Sequence, residues 1–208
     1  MENLNLSKNG FTMVELAIVL VVLGLLLGIG VTLIGPLIKT SKIRETKKIM
    51  EEIVYTIRGY ALTTGTLPSP VTICDASIMP KNIFGKTKDS WRKEIRYLKA
   101  TLDGNEICNS TTTNLKIYFC KDCQCLNYEE KANIAFLLVS GGPNYNIQTG
   151  LDANIVKIYP QYQQCQVDNY ECNNPDYAYK DPQRQEEYDD IVEYWKLETL
   201  KGAVCGTL

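Results

Sequence analysis

The rhythm of apolar and polar positions changes three times along this chain. Residues 1–10 are polar, with Lys8 near their end, and an almost unbroken apolar run follows at once. From 16 to 38 there are 23 residues without a charge, enough at about 1.5 Å of helical rise each to cross a hydrocarbon core roughly 30 Å thick. The run is Leu, Val and Ile all round, with no polar face, and so predicts a membrane-spanning helix rather than a core helix. Gly24 and Gly28, four apart, permit close approach of a second such helix.

Beyond Lys39 the pattern becomes that of an amphipathic helix. Ile43, Met50 and Ile57 recur at sevenfold spacing, and Ile49, Ile53, Val54, Tyr60 and Ala61 fill the same broad face. Lys42, Arg44, Glu45, Lys48, Glu51, Glu52 and Arg58 occupy the other. Gly65, Pro68 and Pro70 give the stop signal. One helix from Phe11 to about Thr64 would be roughly 80 Å long, far more than a soluble domain of this size needs.

The rest changes to strand rhythm. Short β-prone segments at 94–99, 115–120 and 135–140 are bounded by Gly, Asn and Asp. Between 185 and 201, Tyr188, Ile191, Val192 and Trp195 share a helical face, yet the segment also suits a strand, and both readings stand. The expected fold class is α+β: a long N-terminal helix, transmembrane in one half and amphipathic in the other, packed on a small antiparallel β-sheet head.

A chain of 208 residues allows one such head and an anchor. Its 22 basic and 24 acidic residues give a formal charge of −2, so no bulk field attracts nucleic acid. Histidine is absent, which removes Ser-His-Asp and Cys-His catalysis, His-ligated zinc and haem attachment together. No phosphate-binding or dinucleotide-binding glycine loop and no nucleophile elbow is present. The chain is not expected to be an enzyme.

All eight cysteines, Cys74, Cys108, Cys120, Cys123, Cys125, Cys165, Cys172 and Cys205, lie in the head. Their even number implies disulfides on an exported domain, among 105 possible pairings. Cys120, Cys123 and Cys125 could alternatively open a zinc or iron–sulfur site, or serve a membrane-tethered thiol-disulfide protein. Between 159 and 187 the chain is rich in Tyr, Gln and Asn and contains Cys165 and Cys172, which suggests a surface insertion pinned by a disulfide.

Glu15 sits at the lip of the apolar run, where an ionised carboxylate needs a partner or the headgroup interface. Cleavage between Gly10 and Phe11, ahead of the run, would leave the anchor on the mature chain and expose a cationic amine on Phe11. Glu15 of one copy could then pair with the Phe11 amine of another, an attraction of about 4 kcal/mol at 4 Å and an effective dielectric near 20, before desolvation. Gly10-Phe11-Thr12-Met13-Val14-Glu15-Leu16, with Lys8 before it and the apolar run after it, resembles the prepilin cleavage and methylation motif of type IV pilins and type II secretion pseudopilins.

That resemblance implies a leader at 1–10, a transmembrane half-helix at 11–38, an amphipathic half at 39–64 and a pilin-like head at 65–208. It implies cutting after Gly10 and methylation of Phe11 by a prepilin peptidase, with Glu15 setting register during assembly. The implied partners are other pilin or pseudopilin subunits, the inner-membrane assembly machinery and, before assembly, membrane lipid. The implied location is the inner membrane, single-pass, with the head periplasmic or extracellular. Lys39, Lys42, Arg44, Lys47 and Lys48 follow the run while Lys8 alone precedes it, an asymmetry that opposes this orientation. The implied function is structural, in a type II secretion pseudopilus or a type IV pilus; a minor pilin for adhesion, motility or DNA uptake is the alternative.

In the head, Asp89-Ser90-Trp91 followed by Ile95-Arg96-Tyr97 resembles a pseudopilin segment in which Asp-x-Trp precedes a glycine; Arg92 stands in the glycine's place. Trp91 is expected to be a core anchor. Major pseudopilins carry a structural calcium site near the C-terminus, and Asn144, Asn146, Asp189 and Asp190 offer the oxygen ligands such an ion needs, although turn and cap roles explain the same residues. No other cofactor is implied.

Overall fold

The computed structural model describes residues 12–73, 76–152, 154–161, 163–165 and 187–206. Within elements, the side chains of residues 27, 29–33, 73, 76, 151 and 152 are not described. The chain divides into two compact units, Met1–Ser41 and Lys42–Leu208. Helix α1 (Met13–Thr64) contributes to both.

In the first unit a reciprocal cap fixes the start of α1. The Thr12 hydroxyl accepts the Glu15 N–H at 3.3 Å, and the Glu15 carboxylate accepts the Thr12 N–H and hydroxyl at 2.9 Å each. This satisfies donors that a first helical turn leaves without intrahelical acceptors. Pro36 lies inside the helix and removes one N–H from its ladder. Among the described residues no helix is long and apolar enough to cross a membrane. The spanning role of 16–38 therefore rests on the sequence.

In the second unit the apolar face of α1 is buried as its spacing predicts. Met50, Ile53, Val54, Ile57 and Ala61 pack with Ile95, with Tyr97, Phe136 and Leu138 of the sheet and with Leu197 and Leu200. Each such large side chain withdrawn from water contributes about 1.5–3 kcal/mol. Fully buried Thr46 fastens a turn to the helix through Ser90, whose N–H and hydroxyl lie 3.2 and 2.8 Å from its Oγ1. Gly65 ends α1 in the left-handed region, at φ 71°, with its N–H on the Ala61 carbonyl.

The strands are β1 (Val71–Ile73), β2 (Ala76–Ile78), β3 (Arg96–Lys99), β4 (Leu115–Cys120), β5 (Tyr128–Ser140), β6 (Gly150–Asp152), β7 (Ile155–Ile158) and β8 (Ile191–Lys196), followed by helix α2 (Leu197–Val204). They form one eight-stranded sheet in the order β1-β2-β3-β5-β4-β7-β6, with β8 also paired to β5. The sheet is mixed, which corrects the antiparallel expectation: β4 and β7 are parallel, with Ile117 opposite Val156. β5 is the axis, pairing its first half with β4 and its second with β3 and β8. Its residues 134–140 are all buried, because α1 covers one face while Leu115, Ile117, Leu137, Val139, Ile147 and Val156 form a second core on the other. The segment at 185–201 resolves as strand first and helix second, with its strand and helix meeting at Lys196 and Leu197.

Trp91 is half-buried and belongs to neither core, so the anchor expected there is elsewhere. Trp195 on β8 stacks on Phe136 with centroids 6.3 Å apart and takes that place. Arg92 adopts φ 65°, the left-handed conformation a glycine would favour, and its N–H closes a turn on the Asp89 carbonyl at 3.0 Å. The turn survives the substitution at the cost of strain, on the order of 1 kcal/mol.

Candidate functional site

Three places could carry function: the N-terminus of α1, an oxygen-rich pocket of backbone and side chains beyond β5, and the cysteine network. Gly10 and Phe11 lie outside the described residues. Glu15 is exposed and held by Thr12, so the carboxylate expected to engage a neighbour is oriented within its own chain. Thr12 was not singled out from the sequence as a functional residue; the signal was Thr12-x-x-Glu15, a capping box directly before an apolar run.

The second place brings Asn144, Asn146, Asp189 and Asp190 together. β5 ends in a short 3-10 turn (Gly142–Asn144), in which Gly142 has φ 59° and passes so close to the Asp189 carbonyl that any side-chain carbon would collide with it. The Asn144 side chain accepts the Asn146 N–H at 2.8 Å and donates to Gln148 and to the Glu187 carbonyl. Asp190 is buried, and its Oδ2 accepts the N–H groups of Gln148 and Thr149 at 2.8 and 2.5 Å and the Thr149 hydroxyl at 2.7 Å. Its Oδ1 is buried without a hydrogen-bond donor, as is the Asn146 Oδ1. Burial pushes the Asp190 carboxyl up to about 7 against these hydrogen bonds, with Asp189 adding to the rise. Tyr188, also buried, shares its hydroxyl with Thr149 at 2.9 Å.

The turn and cap roles expected of Asn144 are therefore real, and two bare oxygens remain. Buried acceptors without donors are rare and invite a cation or water. Among the described residues no group of three or more His, Cys, Asp or Glu could hold a metal, so a hard cation here would rely on amide and carbonyl oxygens beside one or two carboxylates. That donor chemistry suits calcium and not zinc.

The third place is covalent. Cys108 pairs with Cys205, Cys120 with Cys125 and Cys123 with Cys165. Among the described residues no cysteine is free; Cys74 and Cys172 lie outside them. The zinc or iron–sulfur reading of Cys120, Cys123 and Cys125 is corrected by these bridges, since thiolate ligands cannot also be half-cystines. Cys120 and Cys123 do not pair with each other, as a redox Cys-x-x-Cys would. Most of the Tyr-rich insertion at 159–187 falls outside the described residues, but its Cys165 anchors it to the β4–β5 turn.

Residues 5–34 match the family model of the prokaryotic N-terminal methylation motif. The match supports a type IV pilin-like N-terminus and indicates prepilin-type processing. It covers Gly10, Phe11, Thr12 and Glu15 and stops short of the head. Comparison with curated proteins and with solved structures gives no match to this chain.

Proposed function

We propose that this chain is a structural subunit, stored in the inner membrane with its head on the far side, cut after Gly10 and assembled through its N-terminal helix into a type II secretion pseudopilus or a type IV pilus. The observation that carries the reading is the order of parts: a cleavage junction at Gly10–Phe11, an acid at Glu15, then 23 uncharged residues. Cleavage ahead of such a run leaves a greasy helix with a cationic end, and Glu15 is the charge that would match this end on a neighbouring copy. The Thr12 cap fits the same role, because it keeps that carboxylate at the helix tip instead of folded back along the stem.

In this reading calcium, when bound, neutralises the buried Asp190 carboxylate and ties the loop after β5 to the strand start at Ile191. Asn146 and Asp190 would supply side-chain oxygens, with Asn144 and Asp189 beside them. The head's bridges brace an exported domain and have no catalytic role.

The experiment is assembly in a cell carrying a prepilin peptidase and assembly machinery. The Glu15→Ala chain should be processed but fail to enter filaments, and Glu15→Gln should fail likewise. Normal polymerisation of either variant contradicts the proposal.

A further inference from the structure

The turn at 89–93 is fastened to the lower end of α1 in the second unit and leaves its cations in the open. Ser90 donates its hydroxyl to the Lys42 carbonyl at 2.9 Å and lies 2.8 Å from the Thr46 hydroxyl. Asp89, the one acid of the turn, is buried, and its carboxylate already accepts the N–H groups of Trp91 and Lys93 and the Ser140 hydroxyl. What faces outward is half-buried Trp91, exposed Arg92, and Lys93, whose ammonium lies 6.0 Å from the ring centre of Tyr145. Tyr145 is 43% exposed and sits at φ 63°, as Arg92 sits at φ 65°. Neither residue packs into a core, and neither type favours that backbone. Strain kept at exposed positions points to a use outside the fold.

The helix beside this turn is basic. Residues 42–48 hold Lys42, Arg44, Lys47 and Lys48 against Glu45 alone, whereas the whole chain has a formal charge of −2. Lys42 comes four residues after Ile38, the last of the uncharged run. Four residues reach at most about 14 Å even when fully extended. Headgroups fill roughly the first 5–8 Å beyond the hydrocarbon, and their field extends about 8 Å further at physiological salt. Chain length alone therefore keeps Lys42, and the turn that Ser90 ties to it, inside the reach of a lipid surface.

We infer that this end of the head is a docking surface for anionic phospholipid headgroups of the membrane that holds the chain before assembly. The cations of 42–48, with Arg92 and Lys93, meet the phosphates, while Trp91 and Tyr145 sit at headgroup level, where amphipathic rings are favoured. This gives the basic stretch after the run a role on the far side of the membrane, where the orientation rule gives it none. It also gives Arg92 a reason to stand where a glycine would cost less. The inference rests on the membrane-stored state proposed above; the docking surface itself belongs to the head, outside the methylation motif.

The test uses the full chain reconstituted into vesicles, with Trp195→Phe so that Trp91 is the one tryptophan left. The probe is a nitroxide-headgroup lipid, at equal fraction in vesicles of phosphatidylcholine alone and of phosphatidylcholine with phosphatidylglycerol. Trp91 emission should be quenched and shifted to the blue in the anionic vesicles, and much less in the zwitterionic ones. Salt at about 1 M, where the screening length falls to about 3 Å, should remove the difference. Arg92→Gly, which eases the turn and so keeps it folded, should cut the ratio of docked to undocked heads about fivefold, the share of one cation near such a surface. Arg92→Glu should cut it further, and Lys121→Glu, an equal change of charge at the β4–β5 tip, should leave it unchanged. Equal quenching in both vesicles, quenching that survives salt, or an equal loss from Lys121→Glu overturns the docking surface and leaves the proposed function standing. A chain that alkaline carbonate strips from both vesicles overturns the two together.

Discussion

Replacing Cys108 and Cys205 with serine should destabilise the head more than removing the short Cys120–Cys125 bridge at the β4–β5 tip. The bond spans 97 residues of sequence and ties the C-terminal end of α2 to the turn around Ile107. That turn is itself docked on the helix stop, through the Ile107 N–H on the Gly65 carbonyl, and Lys201 reaches the Ser110 carbonyl at 2.7 Å. With Cys123–Cys165 intact, the shortest path between the two cysteines in the unfolded chain is about 55 residues, and loop-closure entropy for that length is about 4 kcal/mol at 25 °C. The same relation gives about 2 kcal/mol for Cys120–Cys125, which spans only 5 residues. The buried Leu197 and Leu200 keep α2 packed in the folded state, so the loss falls on the unfolded ensemble. Denaturant unfolding of the full chain in detergent, followed by tryptophan fluorescence, measures it. An equal or smaller loss than for Cys120→Ser/Cys125→Ser would refute the reasoning.

Three smaller perturbations probe other parts of the head. Arg92→Gly should leave stability unchanged or raise it by up to about 1 kcal/mol, because it relieves a positive φ, whereas Arg92→Val should lower it; a shift in unfolding midpoint reads both. In chelator, stability should fall as pH rises from about 4 to about 7: the folded state holds a proton on Asp190 that the unfolded state has already released. Asp190→Asn should flatten that slope. Calcium should raise the thermal midpoint near pH 7.5 and much less near pH 5, since the ion needs the carboxylate ionised; no calcium shift at either pH would remove the ion from the account.

Local signals carried the helical part of this fold further than the sheet. The end of α1 was legible because Gly65 adopts the left-handed backbone conformation of a helix stop without the cost a side chain adds, and the buried face followed from the helical spacing of its apolar residues. The start is legible too, in Thr12-x-x-Glu15, where the partner of the Glu15 carboxylate lies three residues away in the same chain. β4 was read correctly because its alternation is local. The first half of β5, Tyr128 to Asn133, is polar and largely exposed, so it resembles a loop; pairing with β4 makes it a strand. The parallel contact of β4 with β7 links segments some forty residues apart and leaves no periodic trace in either.

The candidate site divided along the same line. Asn144, Asn146, Asp189 and Asp190 were legible as oxygen donors, but the burial that leaves two of their oxygens bare depends on Gly142 and Thr149, which composition does not mark. The cysteine pairings were not legible, since spatial neighbours and not spacing decide them. Arg92 shows the opposite case: a residue whose chemistry argues against the turn is held in it by Asp89, whose carboxylate caps the N–H groups of Trp91 and Lys93 at 2.9 Å each.

The central claim is settled most directly by the first residue of the mature protein. After co-expression with a prepilin peptidase, N-terminal sequencing and intact mass should give a chain that starts at Phe11 and carries one added methyl group on its amine. A chain that still starts at Met1, in the presence of a peptidase that processes a control prepilin, would contradict the account.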